Sequence, residues 1–327
     1  MKRSVLAAVA LAVATAPATA SAASIEVAAT PTGSSVIAYQ ALPGEVNALH
    51  MSGTVGGPFD LRMRFTEFSA PLATGPGCAG SPAICGDFGI AYPVQVALGD
   101  KNDVASVNSL TGVLRADAGS GNDDLFAGGI DATADGGSGN DTMVLAANNL
   151  TTGSGGSGRD KLHGGLGAAA AILDGGDGAD LLVPGGFAFG DADGGAGADQ
   201  LVSFNGDTVQ LDGSSGADVI AVPTGGGDIS LAGGPGGDIV STPVGGTDVD
   251  AGSGDDLVIV QSGTDAAGDS VICGPGFDVA FYDSAVDSVS PDCELRFKTR
   301  APSVRDVTEA IAAARALIAH RPDPSTA

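Results

Sequence analysis

One short core, Gly-x-Gly-x-Asp, recurs along this chain at a nearly fixed interval, and that interval limits the fold more than any other feature. It stands at Gly119-Ser-Gly121-Asn122-Asp123, Gly137-Ser-Gly139-Asn140-Asp141, Gly156-Ser-Gly158-Arg159-Asp160, Gly176-Asp-Gly178-Ala179-Asp180 and Gly195-Ala-Gly197-Ala198-Asp199. It continues as Ser214-Ser-Gly216-Ala217-Asp218, with serine for the first glycine, then Gly234-Pro-Gly236-Gly237-Asp238, Gly252-Ser-Gly254-Asp255-Asp256 and Gly274-Pro-Gly276-Phe277-Asp278. The intervals between successive aspartates are 18, 19, 20, 19, 19, 20, 18 and 22. Self-similarity at such a period marks a solenoid, in which each repeat is one coil that buries its apolar side only by stacking on its neighbours. It also overrides the disorder that 53 glycines and 17 prolines would otherwise suggest.

Two residues beyond each aspartate stands an apolar side chain: Leu125, Met143, Leu162, Leu182, Leu201, Ile220, Val240, Val258 and Ala280. A degenerate second turn follows, as Gly128-Gly129, Gly164-Gly165, Gly185-Gly186, Gly225-Gly226-Gly227 and Gly245-Gly246, and after it come alternating runs such as Val209-Gln-Leu211 and Ile229-Ser-Leu231. The two-residue alternation belongs to half-buried strands. The expected architecture is all-β: a parallel β-roll or β-helix of about nine coils, roughly 40–45 Å long at the spacing of stacked strands. Aromatic content of 4% and the absence of Trp suit thin inner layers of Ala, Val and Leu rather than a bulky core.

The full pattern, Gly-x-Gly-x-Asp followed two residues later by an apolar side chain, resembles the calcium-binding nonapeptide of RTX (hemolysin-type) repeat proteins over roughly residues 99–282. The resemblance implies ions held between loops stacked on one edge of a roll, up to about eight calcium ions for nine loops. By that carry-over the carboxylate ligands are Asp123, Asp141, Asp160, Asp180, Asp199, Asp218, Asp238, Asp256 and Asp278. Backbone carbonyls come from Gly119, Gly121, Gly137, Gly139, Gly156, Gly158, Gly176, Gly178, Gly195, Gly197, Gly216, Gly234, Gly236, Gly252 and Gly254. The chemistry is consistent, since calcium takes six to eight oxygen ligands from carboxylates and carbonyls.

Charge separates this reading from a metal-free Gly-Asp turn. The net charge is −25, and residues 98–290 carry 29 Asp against Lys101, Arg115, Arg159 and Lys161. Stacked about 5 Å apart, the aspartates repel one another unless cations intervene. The same sign disfavours nucleic acid and anionic membranes as partners. Ser214, Arg159, Pro275 and Phe277 depart from the pattern, which leaves occupancy at their rows open. Asp135, Asp174, Asp193, Asp212 and Asp250 precede their loops and either add ligands or face solvent. Gly99-Asp100-Lys101-Asn102-Asp103 reads as a worn first loop.

Lys2 and Arg3 precede the apolar run from Val5 to Ala14, and Ala18, Ala20 and Ala22 offer small-residue cleavage sites. Residues 1–22 are therefore expected to be a secretion signal, too short to span a bilayer, with a soluble extracellular product. Four cysteines in an exported chain favour disulfides, and sequence proximity suggests Cys78–Cys85 and Cys273–Cys293. The expected organisation is a signal peptide at 1–22, a small N-terminal β cap at 23–97, the repeat roll with its closing coil at 98–298, and a helical tail at 299–327. That tail has Val304, Val307, Ile311, Ala314 and Ile318 along one stripe and reads as a lid or a loose tail.

Catalysis is not expected. The chain lacks H-E-x-x-H, its histidines are His50, His163 and His320, and no serine has the G-x-S-x-G frame. His163 reads as a solvated turn residue. An ice-binding Thr or Asn ladder is likewise absent at Thr142, Lys161, Leu181, Gln200, Val219, Ile239 and Leu257, but these positions turn apolar from Leu181 onward, which suggests a wider core or a face for self-association. The expected function is a calcium-stabilised extracellular structural or interaction module, with a non-catalytic adhesin or surface-coat role as the alternative and a secreted hydrolase behind it.

Overall fold

A computed structural model describes residues 22–298, apart from 30–34, 58–59, 70, 86–91, 110–111, 165–167, 186–187, 205–206, 261–266 and 283–285. The secretion signal expected from the sequence, except for its last residue, and the expected helical tail lie outside the described residues. Among the described residues there is no helix, and the chain forms a parallel β-solenoid of about ten turns.

Each coil contributes two strands. One follows the aspartate, as in Val104–Asn108, Lys161–Gly164, Leu181–Pro184, Gln200–Phe204, Val219–Thr224, Ile239–Thr242, Leu257–Val260 and Val279–Tyr282. The other precedes the glycines, as in Val113–Asp117, Ala170–Gly178, Phe189–Asp193, Thr208–Asp212, Asp228–Ala232, Thr247–Asp250 and Ser270–Ile272. Each strand pairs in parallel with its counterpart one coil away, so Leu162 lies beside Leu182, Leu201 beside Ile220, and Val240 beside Val258. The apolar residue two beyond each aspartate is buried in all nine repeats, as the two-residue period requires.

Inner layers are small, and they trade volume between neighbours. Ala134, Gly153, Leu173 and Ala192 occupy one column. A Cβ on Gly153 would fall 2.8 Å from the Leu145 side chain and 3.2 Å from Leu173, so the glycine gives these leucines their room. His163 departs from expectation. It sits on the strand Lys161–Gly164 beside Val144 and Val183, with Nδ1 buried and unpaired, because the strand continues through a residue that the sequence reads as a turn.

The sheet crosses residue 98 without interruption. Ile37–Gln40 pairs in parallel with Val94–Ala97, and Ala48–Ser52 with Val104–Asn108, so these strands carry both faces of the roll one coil beyond Asp103. Antiparallel pairs lie upstream: Ser24–Ala29 with Ser35–Gln40, and Ala48–Gly57 with Asp60–Glu67. Both expected disulfides are present. Cys78–Cys85 closes a hairpin, and Cys273–Cys293 joins the last two coils.

The motif turn repeats without a break in register, while the register shifts that occur in the roll fall near the second turn, at Gly129/Asp131 and Val202/Phe204. Backbone stacks directly on backbone in the motif turn. Gly197 has φ +147°, and a Cβ there would come 1.3 Å from the Gly178 carbonyl oxygen. Ser214 keeps the same turn at φ 62°, with its hydroxyl donating to Asp193 Oδ1 at 2.6 Å. Gly197→Ala is therefore expected to destabilise the roll by about 2–4 kcal/mol, measured by chemical denaturation, whereas alanine at the open Gly226 leaves stability nearly unchanged.

Candidate metal centre

The motif aspartates, together with Asp103 and Asp269, are the buried charged groups among the described residues, at 0–3% exposure. The reason is local. Where the chain leaves the turn, the backbone N–H of each aspartate points toward the next coil, and the next aspartate's carboxylate accepts it. Asp123 N–H donates to Asp141 Oδ1, Asp141 to Asp160, Asp160 to Asp180, Asp180 to Asp199, Asp199 to Asp218, Asp218 to Asp238 and Asp238 to Asp256, all at 2.8 Å. Asp256 donates to Asp278 at 2.9 Å. The carboxylate thus supplies the acceptor for this one N–H in a turn whose neighbouring N–H groups donate to backbone carbonyls, as Gly121 does to Ser138.

The ladder is longer than the sequence motif. Asp103 N–H donates to Asp123 Oδ1 at 2.7 Å, so the worn first loop is a full rung. Asn47 caps one end, its N–H donating to Asp103 Oδ1 at 2.6 Å and its side-chain Nδ2 to the Leu98 carbonyl at 3.0 Å. Glu294 caps the other, with Oε2 accepting Asp278 N–H at 2.8 Å. Spacing alone offered a hint for Asp103, which lies one period before Asp123, but none for Asn47, which stands 56 positions before its neighbour. The second turn repeats the device near the end of the roll, where Thr247 N–H donates to Asp269 Oδ1 at 2.9 Å and Asp269 N–H to Asp287 Oδ1 at 3.1 Å.

Each rung uses one carboxylate oxygen. The other, Oδ2, is buried and accepts no hydrogen bond in Asp103, Asp123, Asp141, Asp160, Asp180, Asp199, Asp218, Asp238, Asp256 and Asp278. Burial pushes these acids up: Asp123, Asp141, Asp180, Asp199, Asp218, Asp238 and Asp278 to about 6 and Asp256 to about 7, while Asp103 and Asp160 are also raised. A buried carboxylate with one idle oxygen is balanced either by a proton or by a cation.

Six rungs have oxygen-lined walls suited to a hard cation. Gly136, Gly155, Gly175, Gly194, Gly213 and Gly233 each stand five residues before their aspartate. A Cβ on them would lie 2.6–2.7 Å from Oδ2 and 2.2–2.8 Å from a backbone carbonyl oxygen of the next coil. Carboxylate and carbonyl oxygens therefore converge at Asp141, Asp160, Asp180, Asp199, Asp218 and Asp238. At Asp103, Asp123, Asp256 and Asp278 the same position holds Leu98, Ala118, Ala251 and Cys273, all buried side chains. The motif glycines stack beside the ladder, and the carbonyls of Gly119, Gly176, Gly195 and Gly234 each accept one N–H from the following coil, which leaves a second lone pair. Among the described residues no three side chains from His, Cys, Asp and Glu gather in metal-binding geometry, so an ion here would rely on backbone oxygens.

The aspartates that precede the loops form a separate, solvent-facing column. Asp117 lies beside Asp135, Asp174 beside Asp193, and Asp193 beside Asp212, with Ser154 and Ala232 as interruptions. Their carboxylates reach backbone N–H groups two residues on, as Asp193 does to Gly195 at 3.1 Å and Asp212 to Ser214 at 2.9 Å. No protein-family model, curated protein or solved structure matches the chain.

The raised acids fix the sign of the metal-free pH response. The folded chain holds protons that the unfolded chain has released, so stability falls as pH rises from about 4 through 6–7 and levels off above. Thermal unfolding in chelator is expected to give a lower Tm at pH 7.5 than at pH 5, opposite to the usual acid denaturation of salt-bridged carboxylates.

Proposed function

We propose that the chain is an exported calcium-binding β-roll, a structural or interaction module whose buried aspartate ladder exchanges protons for calcium outside the cell. The observation that carries this reading is the sealed, unpaired Oδ2 repeated from coil to coil beside convergent carbonyl oxygens. Asp141, Asp160, Asp180, Asp199, Asp218 and Asp238 would hold the ions, with carbonyls of the neighbouring coils. Asp103, Asp123, Asp256 and Asp278 serve as hydrogen-bond rungs only. Calcium supplies positive charge to a stack that is otherwise neutral only when protonated.

Several features support the setting. Two disulfides suit an oxidising compartment, the segment 1–22 reads as a secretion signal, and the millimolar calcium outside cells matches the weak sites typical of extracellular modules. Residues 23–97 act as the N-terminal cap, with Asn47 ending the ladder through a neutral amide rather than another carboxylate. The role is one of binding and scaffolding rather than catalysis.

The test compares Asp199→Asn with Asp123→Asn. Asparagine keeps the Oδ1 acceptor but removes the buried charge. At pH 7.5 in chelator both variants are expected to melt at or above the parent's Tm. With millimolar calcium the parent's Tm rises by several degrees, and binding near pH 6 releases protons detectable by calorimetry in buffers of different ionisation heat. Asp199→Asn lowers the number of bound ions, while Asp123→Asn leaves it unaltered. A parent protein whose Tm and proton count ignore calcium would overturn the reading.

A further inference from the structure

The outward side of the strands after the motif is exposed or half-buried along most of the roll and buried at its end. Val104 is 55% exposed and Val219 37%, although Val219 has a strand neighbour on each side, Gln200 and Ile239. In the last coils the equivalent outward residues Leu257, Ile259 and Val279 are only 4–6% exposed. They form an apolar cluster of their own with Ile239, Phe277, Phe281 and Leu295, separate from the inner core. Register places Ile239, Leu257, Val279 and Leu295 in one column and Ile259, Phe281 and Phe297 in the next. Neighbours in a sheet column stand beside one another, not over one another, as Val219 shows. Near-complete burial needs a cover from another segment.

We propose that this cover is residues 303–320 of the same chain, docked as an amphipathic helix across the outer face of the last coils. Three observations select that segment. The final strand, Leu295–Lys298, belongs to this face and delivers the chain to its edge. The nearby segments outside the described residues are polar and short, Gln261-Ser-Gly-Thr-Asp-Ala266 and Asp283-Ser-Ala285, whereas 303–320 places Val304, Val307, Ile311, Ala314 and Ile318 on one helical stripe. Ser303 followed by Asp306 is a helix-start signal, and Pro322 a stop. Eighteen helical residues span about 27 Å, enough to cross all the strands of the patch at about 4.8 Å each. The docked helix shields Leu257, Ile259 and Val279 from a second copy.

Site-specific photocrosslinking in the full mature chain tests this. With benzoylphenylalanine in place of Phe281, irradiation is expected to link that position to a peptide within 303–320 in a product of monomer mass. Ile311→Asp combined with Ile318→Asp is expected to reduce the link at least fivefold and raise hydrophobic-dye fluorescence severalfold while the β circular-dichroism spectrum is retained. Links of dimer mass, links to 261–266 or any other segment, or a yield indifferent to the double substitution would each overturn the proposal.

Discussion

Every coil of this roll is tied to the next through one side chain: an aspartate carboxylate accepts the backbone N–H of the aspartate one coil before it. The bond takes up the aspartate's own N–H while its carbonyl accepts an N–H from the next coil, as Asp123 does from Thr142, so without it each turn would bury an unsatisfied donor. Because the acceptor is a short side chain on a rigid loop, the spacing between coils at this edge is fixed at the sheet's own spacing. Glycine follows from the same constraint. Loops locked at that distance bring backbone carbonyls to within 2.0 Å of where a Cβ would sit at Gly137, Gly156 and Gly176.

The edge built this way is uniform, and the opposite edge absorbs the variation. The repeat varies from 18 to 22 in length, yet all coils share one motif turn because the extra residues enter the second turn, where the register also shifts. The interior compensates in the same spirit. Gly153 and Ala192 flank Leu173, and Ala134 follows beyond Gly153, so small residues offset the large one along the column. The ends are handled by chemistry that differs from the middle. Asn47 contributes an amide where another carboxylate would repel Asp103, and Glu294 extends one methylene further to reach the last donor.

The ladder has an electrostatic consequence. Its inner oxygens are sealed from water, and their charge is tolerable only when shared with a proton or a cation, which is why burial, helped by the neighbouring carboxylates, drives the acids toward neutrality. The outer column, from Asp117 to Asp250, has a different task. It faces solvent and caps the turn's N–H groups, a division between two aspartate columns that begins with residues only six apart, such as Asp135 and Asp141.

Much of this was legible in the sequence. The period, the apolar residue two beyond each aspartate, the parallel all-β class and both disulfides follow from spacing and alternation, because a solenoid's neighbours in space are its neighbours one period away. The rungs Asp103, Asn47 and Glu294 were hidden or half-hidden, since Lys101 stands where the motif has glycine and the excursion after Ala48 separates Asn47 from its partner by about three times the usual period. Only the tertiary structure decided that the motif aspartates point inward rather than into solvent, that one oxygen of each is already used, and that six glycines bring carbonyls onto the other. Sequence determines which residues recur at one edge. Whether a recurring carboxylate is buried, and what its second oxygen meets, depends on the distance between stacked backbones, which exists only once the coils are assembled.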